Sequence, residues 1–267
     1  MEALFPYLLP YLILTQWFIR LTPNNQNSVS RFKLYFKTYG ISALGGFPTG
    51  AATISYLKKS NQITAKEANG LLSICHSPSP LFVIGFVGYD LLNDTLFSWR
   101  FLILYHIVSF IFLILFYQYN SKDSSINLKE ITVDEGNMKH QNPFTNSIKD
   151  SVPTVLVVGS TLIFFTTIYT VVMHSISNFF PEVHNSVILL AAASLEMTNG
   201  LQIAQQLFSH ESFLPVLLAM FLTTQSLSIH MQVAVLAKSE NISLKPYVLL
   251  RVILTFLIPV LYWIIFL

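Results

Sequence analysis

The chain has 267 residues, of which 53% are hydrophobic and only 10% charged; soluble domains carry roughly 25% charged residues, so an ordinary water-soluble fold is excluded. The formal net charge of +2 and the lack of a basic run interleaved with aromatics argue against nucleic-acid binding. Cys75 is the only cysteine, which rules out an intrachain disulfide and a cysteine metal cluster.

The apolar residues are grouped into stretches near the ~20 needed for a helix to cross a bilayer. The first is Ala3 to Ile19. It follows Met1-Glu2 with neither a basic n-region nor a small-residue cleavage site, so it is expected to stay as a span. Next comes an interrupted apolar stretch, Tyr39 to Leu57, with Arg31, Lys33 and Lys37 before it and Lys58, Lys59 and Lys66 after it. A simple span would place positive clusters on both faces, against the positive-inside rule, whereas a hairpin entering and leaving from the cytoplasm would not. Thr64-Ala65-Lys66-Glu67 has the form of a capping box and predicts a helix running through Leu71 and Leu72. That helix meets Pro78 and Pro80, which lack backbone donors and predict a break inside the membrane. Leu81 to Val87 then continues to an external turn at Asp90 and Asp94, and Trp99 to Tyr117 returns inward.

Residues 118 to 150 are polar and without apolar period, as in a mobile cytoplasmic linker. Val152 to Val172 leads out to an external loop at Asn178 to Asn185. Ser186 to Leu207, interrupted around Met197 to Gly200, predicts a second hairpin entering from outside. Phe213 to Leu236 crosses inward with an interruption at Ser226 to Ser228, and Tyr247 to Leu267 crosses outward.

The two halves carry the same design. Gly50 precedes Ser77 by 27 positions, and Gly200 precedes Ser226 by 26. The expected fold is therefore an all-α integral membrane protein, multi-pass in the cell membrane, built from two inverted-topology repeats. Each repeat has two full spans, one per repeat end, with one broken span and one re-entrant helical hairpin. The first repeat covers residues 1–117, the linker 118–150 and the second repeat 151–267. Thirteen of the fifteen Lys and Arg fall in loops assigned to the cytoplasm. Arg100 is expected outside, and Arg251, one turn into the last span, is expected to snorkel to the inner interface.

A helix broken in hydrocarbon exposes backbone groups that persist only where protein or water satisfies them, typically around a cavity. Paired interrupted helices in corresponding positions point to a transporter site near the midplane. In the first half the candidate substrate-binding residues are Pro48, Thr49, Gly50, His76, Ser77 and Ser79; in the second they are Thr198, Asn199, Gly200, Ser226, Ser228, His230 and Gln232. Thr49 is placed to cap the half-helix that follows it, whose free N–H groups favour an anionic or polar group, and Thr198 to Gly200 would offer the same from the opposite side. The two hairpin tips are expected to meet. Gly46 and Gly50 also have a plainer use, close helix packing through a G-x-x-x-G spacing. Glu196 is the sole acid inside an apolar segment, where a carboxylate is costly, and it is the candidate for a coupling proton or cation; the alternative is a carboxyl that bonds neighbouring backbone.

Neither His76 nor His230 has a His or carboxylate one turn away, so no metal site is expected. No G-x-x-x-x-G-K-[ST] loop and no G-x-S-x-G elbow is present. Gly88-Tyr89-Asp90 lacks the second intramembrane Asp an aspartyl protease dyad needs. The expectation is a protein that is not an enzyme and needs no cofactor.

The strings Gly46-Phe47-Pro48-Thr49-Gly50-Ala51, Leu71-Leu72-Ser73-Ile74-Cys75, Leu195-Glu196-Met197-Thr198-Asn199-Gly200-Leu201 and Ser228-Ile229-His230-Met231-Gln232-Val233, with Lys245-Pro246-Tyr247 following, resemble the nucleoside-recognition (Gate) domain membrane proteins, and within them the sporulation integral membrane protein YlbJ group. The resemblance covers nearly the whole chain and implies a transport-type protein, with dipicolinate or another small organic anion as cargo. The expected function is thus a transporter or facilitator of a small polar, anionic solute bound near the midplane between the hairpin tips. The alternative is a non-transporting structural or signalling subunit of a sporulation or envelope membrane complex. Expected partners are the lipid bilayer, the solute and a coupling proton or cation, with a homo-oligomer as one option for assembly.

Overall fold

The computed structural model describes residues 4–21, 31–123, 142–179 and 182–267. Its helices are α1 (Leu4–Arg20), α2 (Arg31–Gly45), α3 (Thr49–Lys59), α4 (Ala65–Ile74), a π-helical segment (Leu81–Leu91), α5 (Thr95–Asp123), α6 (Pro143–Phe179), α7 (Asn185–Leu195), α8 (Met197–Phe208), α9 (Leu214–Thr224), α10 (Leu227–Ser239) and α11 (Lys245–Phe266). The order is one long helix, two short pairs and another long helix, and it occurs twice. Among the described residues, Thr95–Asn120, Pro143–Phe179, Leu214–Ser239 and Lys245–Phe266 are long and apolar enough to cross a membrane. The chain is an all-α, multi-pass membrane protein. α1, with 17 residues, lies at the short end of the spanning range.

α5 continues to Asp123, and α6 begins at Pro143, where the Asn142 carboxamide oxygen accepts from the Phe144 N–H at 3.0 Å. Pro at the first helical position costs nothing, because its missing N–H would have no partner there. Residues 124–141, with Lys129 and Lys139, lie outside the described residues, as do Ala3 of the first span and residues 180–181 of the external loop.

The chain divides into two compact units. Unit 1 comprises residues 1–77, 109–157 and 235–247; unit 2 comprises 78–108, 158–234 and 248–267. Among the described residues, the Lys and Arg expected on the cytoplasmic side all belong to unit 1, while Arg100 and Arg251 belong to unit 2.

In unit 1, α1 packs on α2 and α3, and α3 packs on α4. The capping box forms as the sequence predicts: the Thr64 hydroxyl accepts from the Glu67 N–H at 3.2 Å and the Glu67 carboxylate accepts from the Thr64 N–H at 2.7 Å. The other Glu67 oxygen accepts from the Tyr35 hydroxyl at 2.7 Å, which ties α4 to α2. Tyr35 stacks on Phe116, and a side chain at Gly70 would overlap that same ring, so α5 approaches α4 closely there. Two bonds fasten the turn between α10 and α11: the Ser55 hydroxyl donates to the Leu236 carbonyl at 2.9 Å, and the Ser243 N–H donates to the Asn69 side chain at 2.8 Å. Arg20 pairs with Asp150 and lies over the Tyr56 ring.

In unit 2, α7 and α8 form a tight pair in which a side chain at Gly200 would overlap the backbone of Ala193. α8 also packs on α9 and on the π-helical segment. The Ser98 hydroxyl donates to the Val83 carbonyl at 2.7 Å, which holds that segment to α5, and a side chain at Gly88 would overlap Ser98. Phe97, Phe101 and Tyr105 run along one face of α5, with Tyr262 of α11 against Phe97.

Candidate functional site

All four short pairs are interrupted within two residues of the expected points, and the reasons differ. In the first hairpin, Gly46 takes φ 66, a left-handed conformation that glycine adopts without strain, and a cis Phe47–Pro48 peptide follows. The expected cap by Thr49 does not form. Pro48 occupies the cap position without a side-chain bond, and Thr49 is already the first residue of α3. Its hydroxyl is fully buried against Gly45 and has no hydrogen-bond partner; the hydroxyl of Thr53, one turn on, shares that state. Gly50 is needed for a close approach, since a side chain there would overlap the carbonyl oxygen of Cys75. The hairpin tip of unit 1 therefore touches the end of α4.

That end is the first broken span. α4 stops at Ile74, and residues 75–79 carry no helix, as Pro78 and Pro80 predict. The His76 ring is buried between Phe47, 4.9 Å away, and Tyr247, 5.4 Å away. The Ser77 hydroxyl is buried with no hydrogen-bond partner. Ser79 is used by the fold: its hydroxyl accepts from the Phe82 N–H at 3.2 Å at the start of the π-helical segment. Unit 1 thus brings Pro48, Thr49, Gly50, His76 and Ser77 together.

The second hairpin is interrupted at one residue. Glu196 is extended, with φ −144 and ψ 123, between the last residue of α7 and the first of α8. Met197 to Gly200, the expected interruption, instead form the first turn of α8, because the Glu196 carboxylate caps that helix by accepting from the Asn199 N–H at 2.9 Å. The Glu196 side chain is buried at the start of α8, where Thr198, Asn199 and Gly200 were expected to face a solute. Thr198 and Asn199 are half-buried, and Gly200 serves the close packing against Ala193.

The second broken span turns at Gln225, which takes φ 67 and ψ 167. Sequence reasoning passed over this residue, although the polar run Thr223-Thr224-Gln225-Ser226 inside an apolar segment marks it. The hydroxyls of Thr223 and Thr224 bond back to carbonyls of α9, each at 2.8 Å, and so end that helix from within. The Ser226 carbonyl accepts the first bond of α10, from the His230 N–H at 3.0 Å. The Ser226 and Ser228 hydroxyls are buried without hydrogen-bond partners, and Gln232 is buried one turn further on.

Arg251 departs most from expectation. It does not snorkel: it is 3% exposed and donates to the Tyr105 hydroxyl at 2.8 Å. The side chain turns inward because α5 offers a buried acceptor that sequence spacing cannot reveal. In comparisons with protein-family models, curated proteins and solved structures, no match to this chain was found.

Proposed function

We propose that the chain is a secondary transporter or facilitator of a small polar, anionic solute, bound at the broken span of unit 2, between α9 and α10. The observation that carries this reading is the placement of orphaned hydroxyls. Ser226 and Ser228 stand at that break, both buried without hydrogen-bond partners. A buried hydroxyl left unpaired costs about 1–3 kcal/mol, a penalty that a bound solute removes. Two inverted repeats of a Gate-type scaffold fit the repeated element order, and the resemblance described above suggests a dipicolinate-like anion. Glu196 is the coupling group in this reading, exchanging a proton or cation as the cap of α8 loosens. Purified protein in liposomes, screened for uptake of labelled organic anions with and without a proton gradient, tests it. Uptake no greater than in protein-free liposomes for every anion would refute it.

The dense packing of Ser77 and Ser228, each 1% exposed, favours a second reading, a non-transporting structural or signalling subunit. In that case no solute would shift its melting temperature.

A further inference from the structure

Within unit 1, a groove of about 370 Å³ runs between α1 and α2, with room for a length of one acyl chain. Leu14, Trp17, Phe18 and Leu21 line one side, and Ile41 and Leu44 the other. Ile41 is buried at its floor, whereas Leu14, Phe18, Leu21 and Leu44 are each more than half exposed, so the groove is open. Thr15 also borders it, but its hydroxyl donates to the Leu12 carbonyl at 2.9 Å. An exposed apolar groove of this kind marks a binding surface for hydrocarbon rather than for a polar solute.

One end of the groove is positively charged. Lys33, Lys37, Ile41 and Leu44 follow one another at spacings of four, four and three residues and so share one face of α2. From the start of α2, that face reads two lysines and then two aliphatic residues. The Lys37 ammonium lies over the Phe18 ring, 4.7 Å from its centroid, and donates to the Phe18 carbonyl at 3.2 Å. Its plain use is to close the C-terminal end of α1, where the helix dipole favours a cation. That bond takes one of the three N–H donors of an ammonium. Among the described residues no carboxylate pairs with Lys37; Asp150 pairs with Arg20 and Glu67 with Arg31. Lys37 is half-buried and Lys33 exposed.

We propose that the groove between α1 and α2 holds one acyl chain of an anionic phospholipid whose phosphate sits on Lys37, with Lys33 beside it. The order of the chemistry carries the assignment. The apolar lining begins one turn from the ammonium, just as the chains of a phospholipid begin next to its phosphate, and basic residues beside apolar helices recognise anionic headgroups. A zwitterionic lipid brings its own cation to the phosphate and gains less from the lysine. A second copy of the chain docking through the same face would bring no carboxylate to Lys37, because neither α1 nor α2 contains Asp or Glu. The lipid site does not depend on whether the chain transports a solute.

Trp17, in the groove wall, reports occupancy. In a Trp99→Phe/Trp263→Phe background it is the only tryptophan of the full-length chain, and lipids brominated on their acyl chains quench it on contact. In mixed micelles, brominated phosphatidylglycerol is expected to reach half-maximal quenching at about tenfold lower mole fraction than brominated phosphatidylcholine. Lys37→Met keeps most of the stem over Phe18 and removes the charge, so it should cut that preference about fivefold. Lys59→Met, at the exposed end of α3 and outside the groove, should leave it unchanged. Should Lys37→Met fail to fold, Lys33→Met at its exposed position carries the test, with an expected loss of about twofold. Equal quenching by the two lipids, or an undiminished preference in the folded variant, would overturn the proposal. An equal loss in Lys59→Met would also overturn it, because the attraction would then belong to the basic surface at large. Absence of quenching by either lipid, with Leu44→Cys chains crosslinking to one another in a Cys75→Ala background, would give the groove to a second copy instead.

Discussion

Arg251 donates a hydrogen bond to the hydroxyl of Tyr105 at 2.8 Å, across 146 positions of sequence, with both side chains buried. The bond is charge-assisted, and removing the acceptor leaves a buried guanidinium short of a partner. Tyr105→Phe is expected to lower stability by about 1–3 kcal/mol. Thermal unfolding in detergent, followed by tryptophan fluorescence, reads the loss; an unchanged melting temperature would show that Tyr105 does not hold Arg251.

Two glycines give opposite expectations for the same substitution. Gly50→Ala places a methyl group on the Cys75 carbonyl and is expected to cost about 1–3 kcal/mol. Gly40 lies inside α2 with open space around its missing side chain, so Gly40→Ala is expected to stabilise by about 0.5–1 kcal/mol. Melting temperatures moving in the same direction would refute the close approach of the first hairpin tip to α4.

The contrast shows what the sequence could reveal. Gly46, Pro48, Pro78 and Pro80 act through their own backbones, so the breaks around them were legible, as was the Thr64–Glu67 box, which needs only a four-residue spacing. Glu196 and Gln225 break the chain through tertiary setting, and neither residue type announces a break. Met197 to Gly200 misled because a glycine near a polar run reads as an interruption, whereas Gly200 serves helix contact. The burial of Arg251 depends on a tyrosine far away in sequence, which no local pattern contains.

Glu196 separates coupling from folding. Glu196→Gln keeps an oxygen that can accept from the Asn199 N–H, so near-normal stability is expected, while Glu196→Ala loses the cap at a cost of about 1 kcal/mol. In liposomes, Glu196→Gln should lose the proton dependence of uptake and Glu67→Gln, in the capping box of α4, should keep it. Wild-type pH dependence in Glu196→Gln would leave this carboxylate only its role as a cap.

Topology is open to direct labelling. In a Cys75→Ala background, Ser60→Cys in the turn between α3 and α4 should react from the cytoplasmic side, and Ser209→Cys after α8 from the opposite side. Reaction of both from one side would refute the inverted arrangement of the two repeats.

Anion uptake by the Ser226→Ala/Ser228→Ala double variant tests the central claim most directly. Both hydroxyls are buried without hydrogen-bond partners, so their removal should leave the melting temperature at or above that of the wild type. The account predicts that wild-type proteoliposomes accumulate at least one organic anion above protein-free liposomes, and that the double variant does so about tenfold more slowly through the loss of two solute hydrogen bonds. Equal uptake by wild type and variant, or none by either, would contradict it.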